Sequence, residues 1–169
     1  TLARARDPDG EYHFLPDGDL GALAADTYDL ILSAFPFDYV PTREQKVSLL
    51  TSLKRLLKRD GRIVNLVSSS DLYVNEWVSF STRDFPGNRT ARSGEKALVV
   101  MLDVEDRRPI EDILWTHDNY LDVYQRAGLL VHQTYRPLGK PGEAFAWENE
   151  LSIPPSSIYV LGAAAEAGR

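Results

Sequence analysis

Apolar residues recur along this chain with two different periods. In Tyr28-Asp29-Leu30-Ile31-Leu32-Ser33 they form a short continuous run, as expected of a strand inside a sheet, and the run breaks at Ala34-Phe35-Pro36-Phe37-Asp38. Val47, Leu49, Leu50, Leu53, Leu56 and Leu57 then recur at helical spacing. Ahead of them, Pro41-Thr42-Arg43-Glu44-Gln45 has the form of a capping box, with Thr42 capping and Gln45 returning the bond. Gly61 is expected to end that helix in the left-handed position, and Arg62-Ile63-Val64-Asn65-Leu66-Val67 is a second strand closing in Ser68-Ser69-Ser70. A strand-helix-strand unit with so short a crossover demands parallel pairing, with helices covering the sheet.

The same patterning organises the rest. After the turn Asp7-Pro8-Asp9-Gly10, alternation around Tyr12 and Phe14 predicts a strand over 11–15 that contains His13 and runs into Pro16-Asp17-Gly18-Asp19-Leu20, followed by a short capped segment over 20–25. Residues 97–104 are a strongly apolar strand broken by Arg107-Arg108-Pro109. Thr116 caps a helix that ends in Ala127-Gly128-Leu129, and 129–135 and 157–162 are the last two strands, His132 lying in the first of them. Between them, 137–155 has no periodicity and is expected to be a loop, and 163–169 is a small-residue tail.

Composition narrows the function classes. The chain has 169 residues, 43% of them apolar, enough for one domain over 1–169 with a real core. Twenty-five acids against nineteen bases give a net charge of -6, which repels a nucleic acid backbone. Lys54, Arg55, Lys58 and Arg59 are expected at one helix end, where they complement its dipole. The absence of cysteine excludes disulfides, thiolate metal sites and cysteine nucleophiles, and His13, His117 and His132 are too scattered for a metal triad, so no metal is expected. The serines at 68–70 lack a Gly-x-Ser-x-Gly elbow, which argues against a serine nucleophile. No apolar run approaches the roughly 18 residues of a spanning helix and no signal peptide is visible, so a cytoplasmic protein with no membrane partner is expected. The only methionine is Met101, and Thr1-Leu2-Ala3-Arg4-Ala5-Arg6 has the look of a helix tail, so a processed start or a fragment is expected.

Tyr28-Asp29-Leu30-Ile31-Leu32 and, about thirty residues on, Leu56-Leu57-Lys58-Arg59-Asp60-Gly61-Arg62-Ile63-Val64 resemble strands four and five of class I S-adenosylmethionine-dependent methyltransferases. The resemblance covers the second half of that fold. It implies an α/β, Rossmann-like three-layer sheet, mostly parallel, with an antiparallel last strand inserted between the fifth and sixth. Strands one and two, with the glycine-rich turn and the ribose-binding acid, are absent from this chain and are expected before Thr1. Strand four would then show an unpaired edge, through which a homodimer is conceivable. The implied cofactor is S-adenosyl-L-methionine, and the implied reaction is in-line methyl transfer to a small-molecule acceptor, the fragment by itself being inactive.

On that resemblance the cofactor-binding residues are Asp19 and Leu20, matching the turn that meets adenine, with Ser33, Ala34 and Phe35 at the end of the central strand. Asp17 and Asp19 read equally well as turn formers. Phe35 and Phe37 either flank the adenine and the transferable methyl or pack under the next helix, and Asp38 either holds a substrate amine or hydroxyl or ties down the loop. The aromatic-rich insertion 71–115 has the composition of an acceptor-pocket lid or of a satellite core, with Tyr73, Trp77 and Trp115 as its substrate-facing candidates. Arg83, Arg89 and Arg92 either receive an anionic acceptor or are solvated. His117, in the first turn of its helix, is a candidate general base or an ordinary surface residue. Two other classes stay open: a nicotinamide-dependent doubly wound oxidoreductase, and a non-catalytic interaction domain.

Overall fold

A computed structural model describes residues 2–15 and 19–164; Thr1, Asp17 and the end of the small-residue tail lie outside the described residues. The apolar run forms β1 (Tyr28–Ala34), followed by a 3-10 turn (Pro36–Tyr39) and α2 (Arg43–Leu56), with a short α1 (Leu2–Arg6) near the start. Thr42 caps α2 as its spacing predicts, its Oγ1 accepting from the Gln45 N–H at 3.2 Å. The side chain of Gln45 answers through the Thr42 hydroxyl, at 3.2 Å, and not through the backbone.

Gly61 does not end the helix. The backbone turns extended at Leu57 and β2 (Leu57–Ser68) begins there, so Lys58 and Arg59 belong to a strand while Lys54 and Arg55 close α2. The β1–β2 register jumps from Tyr28 opposite Leu57 to Leu30 opposite Arg62, and a Cβ on Gly61 would stand 2.9 Å from the Tyr28 carbonyl. Close approach of two backbones is what requires glycine at this position.

The main sheet has the order β1-β2-β7-β6, with β6 (Leu129–Tyr135) and β7 (Ser156–Ala163) supplied by the end of the chain. β1 and β2 pair in parallel, while β7 is antiparallel to both β2 and β6. Three strands therefore share one direction and the last runs against them, in the place expected of it. α2 and α3 (His117–Arg126) lie side by side over one face, joined by Arg43, which bonds Asn119 and pairs with Asp122. Beneath them Leu50, Ile63, Val67, Tyr124 and Leu161 form the main core. The opposite face leaves Leu32 at the sheet's edge 68% exposed.

Residues 71–115 build a second, antiparallel sheet from β3 (Phe80–Ser81), β4 (Lys96–Met101) and β5 (Ile110–Ile113). Sequence periodicity marks only the middle strand, because two- and four-residue strands carry too few positions to show a period. Leu72, Tyr73, Trp77, Ala97 and Leu114 form its own small core. Polar groups complete it. Buried Asn88 donates to the carbonyls of Tyr73 and Leu98 and accepts from the Leu98 N–H, and Glu150 reaches from the long loop to the Val78 N–H at 2.6 Å.

Residues 11–15 are not a strand. The Tyr12 hydroxyl donates to the Asp7 carboxylate at 3.1 Å, His13 contacts Glu11, and Phe14 stands in solvent, so the aromatic alternation has no partner strand to give it meaning. Residues 20–25 are turns, not a helix.

Candidate functional site

The C-terminal end of β1 is where the two sheets meet, and three features of the sequence shape it. Ser33 is buried with a hydroxyl that has no hydrogen-bond partner among the described residues. Phe35 adopts a left-handed backbone, with φ at 66°, a conformation that a bulky residue rarely takes and that often marks functional sites. The bend turns Phe35 outward and Phe37 inward. Phe37 is therefore a core side chain beneath α2, not a pocket wall, whereas Phe35 lines a cavity of about 260 Å³.

Asp38 follows from the 3-10 turn and is 3% exposed. Its carboxylate accepts from the Ser68 N–H at 3.1 Å and from the Tyr120 hydroxyl at 3.3 Å. Behind it stands Lys46, with no exposed surface, donating to the Phe37 carbonyl. The Lys46 ammonium lies 4.9 Å from the Trp115 ring centre and 5.4 Å from that of Tyr120. Burial lowers the Lys46 amine to about 8, against the opposing pull of Asp38. Burial likewise raises Asp38, opposed by its bonds to Ser68 and by Lys46.

Across the cavity Asp112, on β5, is also buried and accepts from the Tyr73 hydroxyl at 3.1 Å. Burial, reinforced by the charge of Asp38, raises its carboxyl to about 6. The remaining walls are mostly apolar, among them Leu72, Phe80, Val99 and Met101, with Ser68 and Ser156 contributed by the main sheet. Tyr39 forms part of the rim and also borders a second cavity of about 540 Å³ that reaches Asp19 and Leu20. That turn is held by Asp19 Oδ1, which accepts from the Gly21 N–H at 2.7 Å, and by Arg55, which donates to the Leu20 carbonyl. The two turns singled out in the sequence thus border cavities that share Tyr39, the Phe35 bend at the carboxyl end of β1 and the Asp19–Leu20 turn tied through Arg55 to the last turn of α2.

Other candidates are placed elsewhere. Trp77 fills the small core and donates its indole N–H to the Leu72 carbonyl at 2.8 Å, so it is structural. Trp115 belongs to the main core. Tyr73 does not present its ring to the cavity beside Phe35; it acts there through its hydroxyl, on Asp112. His117 sits in a narrow cleft with Trp115 and Arg136 that shares Ser68 with the cavity beside Phe35, its Nδ1 2.7 Å from the Tyr159 hydroxyl and its ring stacked on that tyrosine. It is not brought together with Asp38. Arg83 and Arg89 border a third depression, where Arg83 pairs with Glu76 at 3.7 Å, and Arg92 lies outside it. Among the described residues no three His, Cys, Asp or Glu side chains converge as a metal site, and no helix is long and apolar enough to cross a membrane.

Lys46 and Asp112 were not foreseen. Lys46 occupies the apolar face of its own helix, spaced with Leu50, Leu53 and Leu57, and that misfit was visible in the sequence. Asp112 gave no local signal, because its partner and its neighbouring charge come from segments far away in the chain.

No family model and no curated protein matches the sequence. Solved structures do. The chain is similar to an S-adenosylmethionine-dependent methyltransferase of Clostridium acetobutylicum, with a TM-score of 0.60 at 12% identity, covering 97% of this chain and 69% of that one. A second such enzyme, from Mesorhizobium loti, aligns with a TM-score of 0.58 at 15% identity over 95% of this chain and 74% of its own. A third, from Leishmania major, aligns with a TM-score of 0.50 at 18% identity over 88% of this chain. The chain spans only 44% of the length of the Leishmania protein. The likeness is one of fold, that of the S-adenosylmethionine-dependent methyltransferases.

Proposed function

We propose that the polypeptide to which these residues belong transfers a methyl group from S-adenosyl-L-methionine to a small-molecule acceptor. The observation that supports this is the pair of cavities meeting at Tyr39, one bordered by the Asp19–Leu20 turn and the other by the Phe35 bend. In sheets of this kind ligands bind beyond the carboxyl ends of the strands, which is where the Phe35 cavity lies; the other extends from Tyr39 along α2 to Ser52.

The residues present fit the adenosyl end of the cofactor. Asp19 has one carboxylate oxygen engaged by Gly21, leaving the other to accept from an exocyclic amine, and Leu20, Val40 and Leu49 offer an apolar surface to a flat ring. Bound there, S-adenosylmethionine would supply an electrophilic methyl group. The chain's own contribution is placement: the left-handed bend at Phe35 sets an aromatic wall on the acceptor cavity, Tyr39 stands between the two cavities, and the small sheet over 71–115 closes the acceptor side against water. No dedicated base is required by this chemistry, and His117, bonded to Tyr159 in the narrow cleft, is assigned none.

The outer edge of β1 is unpaired among the described residues and carries exposed Leu30 and Leu32. We read it as the seam along which further strands pair, since the similar structures extend beyond the matched part. On this reading the 169 residues alone bind the cofactor weakly. A nicotinamide enzyme is disfavoured by the antiparallel β7 inside the sheet, because dinucleotide folds of that class are parallel at this position.

Calorimetry on the 169-residue chain, and on the longest natural polypeptide that contains it, decides the matter. S-adenosylmethionine and its demethylated product should bind the longer polypeptide while nicotinamide dinucleotides do not. Binding of the dinucleotides instead, or of neither class to the longer polypeptide, would overturn the assignment.

A further inference from the structure

We infer that the cavity between the Phe35 bend and the small sheet is a site for an amine carried on an apolar body, its cationic nitrogen held by Asp112 with Asp38 opposite. Calling that amine the methyl acceptor rests on the methyl-transfer reading, in which the ammonium first gives a proton to solvent so that the neutral nitrogen has the lone pair that attacks the methyl; the ligand class rests on the cavity itself.

The argument begins with an imbalance of charge. Two carboxylates line the cavity and, among the described residues, no lysine, arginine or histidine does. Asp38 has Lys46 behind it as a counter-charge. Asp112 has none: it is 6% exposed, forms no ion pair among the described residues, and the charge that acts on it is another carboxylate. Its partner among those residues is the neutral Tyr73 hydroxyl, at 3.1 Å, on Oδ2. A buried carboxylate is ordinarily paired with a cation or satisfied by several donors. Asp112 has one donor and an open cavity in front of it. With Lys46 and both carboxylates charged, the cluster carries one negative charge in excess, which a monocation entering the cavity neutralises.

The rest of the cavity describes the body attached to that cation. Phe35, Leu72, Phe80, Val99, Met101 and Ile110 are apolar and outnumber the hydroxyls of Tyr39, Ser68 and Ser156, so the walls suit a hydrocarbon body better than the roughly six to eight oxygens that a hydrated metal ion would need replaced. An ammonium offers N–H donors to the two carboxylates and hydrocarbon to the walls. The same surroundings reject an anionic acceptor. Strand β5 presents its other acid outward, where Glu111 pairs with Lys96 at 2.8 Å, so the strand is able to pair an acid with a surface lysine and does not do so for Asp112.

The test is binding measured by titration calorimetry without cofactor, on the longest natural polypeptide containing this chain. Phenethylamine, 2-phenylethanol and 3-phenylpropionate, together with straight-chain primary amines from butylamine upward, are the probes. Amines should bind, the alcohol should bind roughly tenfold more weakly or worse, and the carboxylate should not bind. Asp112→Asn should weaken the amines by roughly tenfold or more and leave the alcohol unchanged, with thermal unfolding showing the variant folded. Equal affinity for amine and alcohol, amine binding indifferent to Asp112→Asn, or no binding by any amine would overturn the inference. Because no cofactor is present, these results are independent of whether S-adenosylmethionine binds.

Discussion

Leu50, Ile63, Val67 and Leu161 fill the space between the helices and the main sheet around a buried bond from the Asn65 amide to the Tyr124 hydroxyl, whereas the small sheet closes over the smaller set Leu72, Trp77, Ala97 and Leu114 and then leans on Asn88 and Glu150 to hold its loops together. Both layers contain buried hydrogen bonds, but the main sheet removes more apolar area from water, so the small one leans relatively more on bonds that are each costly to leave unmade. The two regions also treat buried charge differently. On the main-sheet side Asp38 is given a cation, and on the small-sheet side Asp112 is given none. The site lies where a rigid, compensated layer faces a smaller and uncompensated one.

The largest effect should come from removing the compensation. Lys46→Met keeps length and apolar contact under α2 but leaves Asp38 buried beside no cation, and breaking one side of a buried pair costs about 3–5 kcal/mol. Urea unfolding should show that loss, and the double variant Lys46→Met with Asp38→Asn should recover most of it. If the single variant were as stable as the parent, Lys46 would not be the counter-charge of Asp38 and the contrast between the layers would fail.

Asp112→Asn should act in the opposite direction. Folding raises this carboxyl from 3.8 to about 6, so the folded state holds its proton more tightly than the unfolded state does. The favourable contribution is complete below about pH 4 and is lost as pH rises through about 6, where the buried group must ionise. Tyr73, Asp38 and Tyr39 are the titratable groups that face it, and none of them is a cation. Asparagine keeps an acceptor for the Tyr73 hydroxyl and carries no charge, so the variant should lack that decline and at pH 7 exceed the parent by on the order of 3 kcal/mol. Unfolding free energies at pH 4, 5, 6 and 7 check both the sign and the window.

How much of this was legible follows the same division. The β1–α2–β2 unit could be read because each of its signals is local: an apolar run, a threonine cap and a leucine period. Phe35 and Asp38 were singled out because the bend that carries them interrupts a strand at its carboxyl end, and both border the cavity. The segment 11–15 misled because alternation describes a strand only if another strand lies beside it, and Tyr12 spends its hydroxyl on Asp7 instead. Gly61 misled because a glycine after a helix has two uses, a left-handed cap or close approach, and only the neighbouring strand decides between them. Asp112 was invisible: its burial depends on Tyr73 and Asp38, whose positions in the chain say nothing about their distance from it.

The smallest of these effects concerns what holds the small sheet in place. Asn88 uses its amide on three backbone groups, donating to the carbonyls of Tyr73 and Leu98 and accepting from the Leu98 N–H at 3.0 Å. Asn88→Ala strands those groups away from water, and a buried group left unpaired costs about 1–3 kcal/mol. The loss should be local, because the small core can open without disturbing the helices over the main sheet. Hydrogen exchange should therefore quicken at the β4 and β5 amides, Leu98 among them, while Ile63, Val67 and Leu161 keep their protection. Exchange that quickened equally in both sheets would mean that they open as one unit, and the small sheet would then have to be treated as part of the main core and not as a separate cover over the cavity.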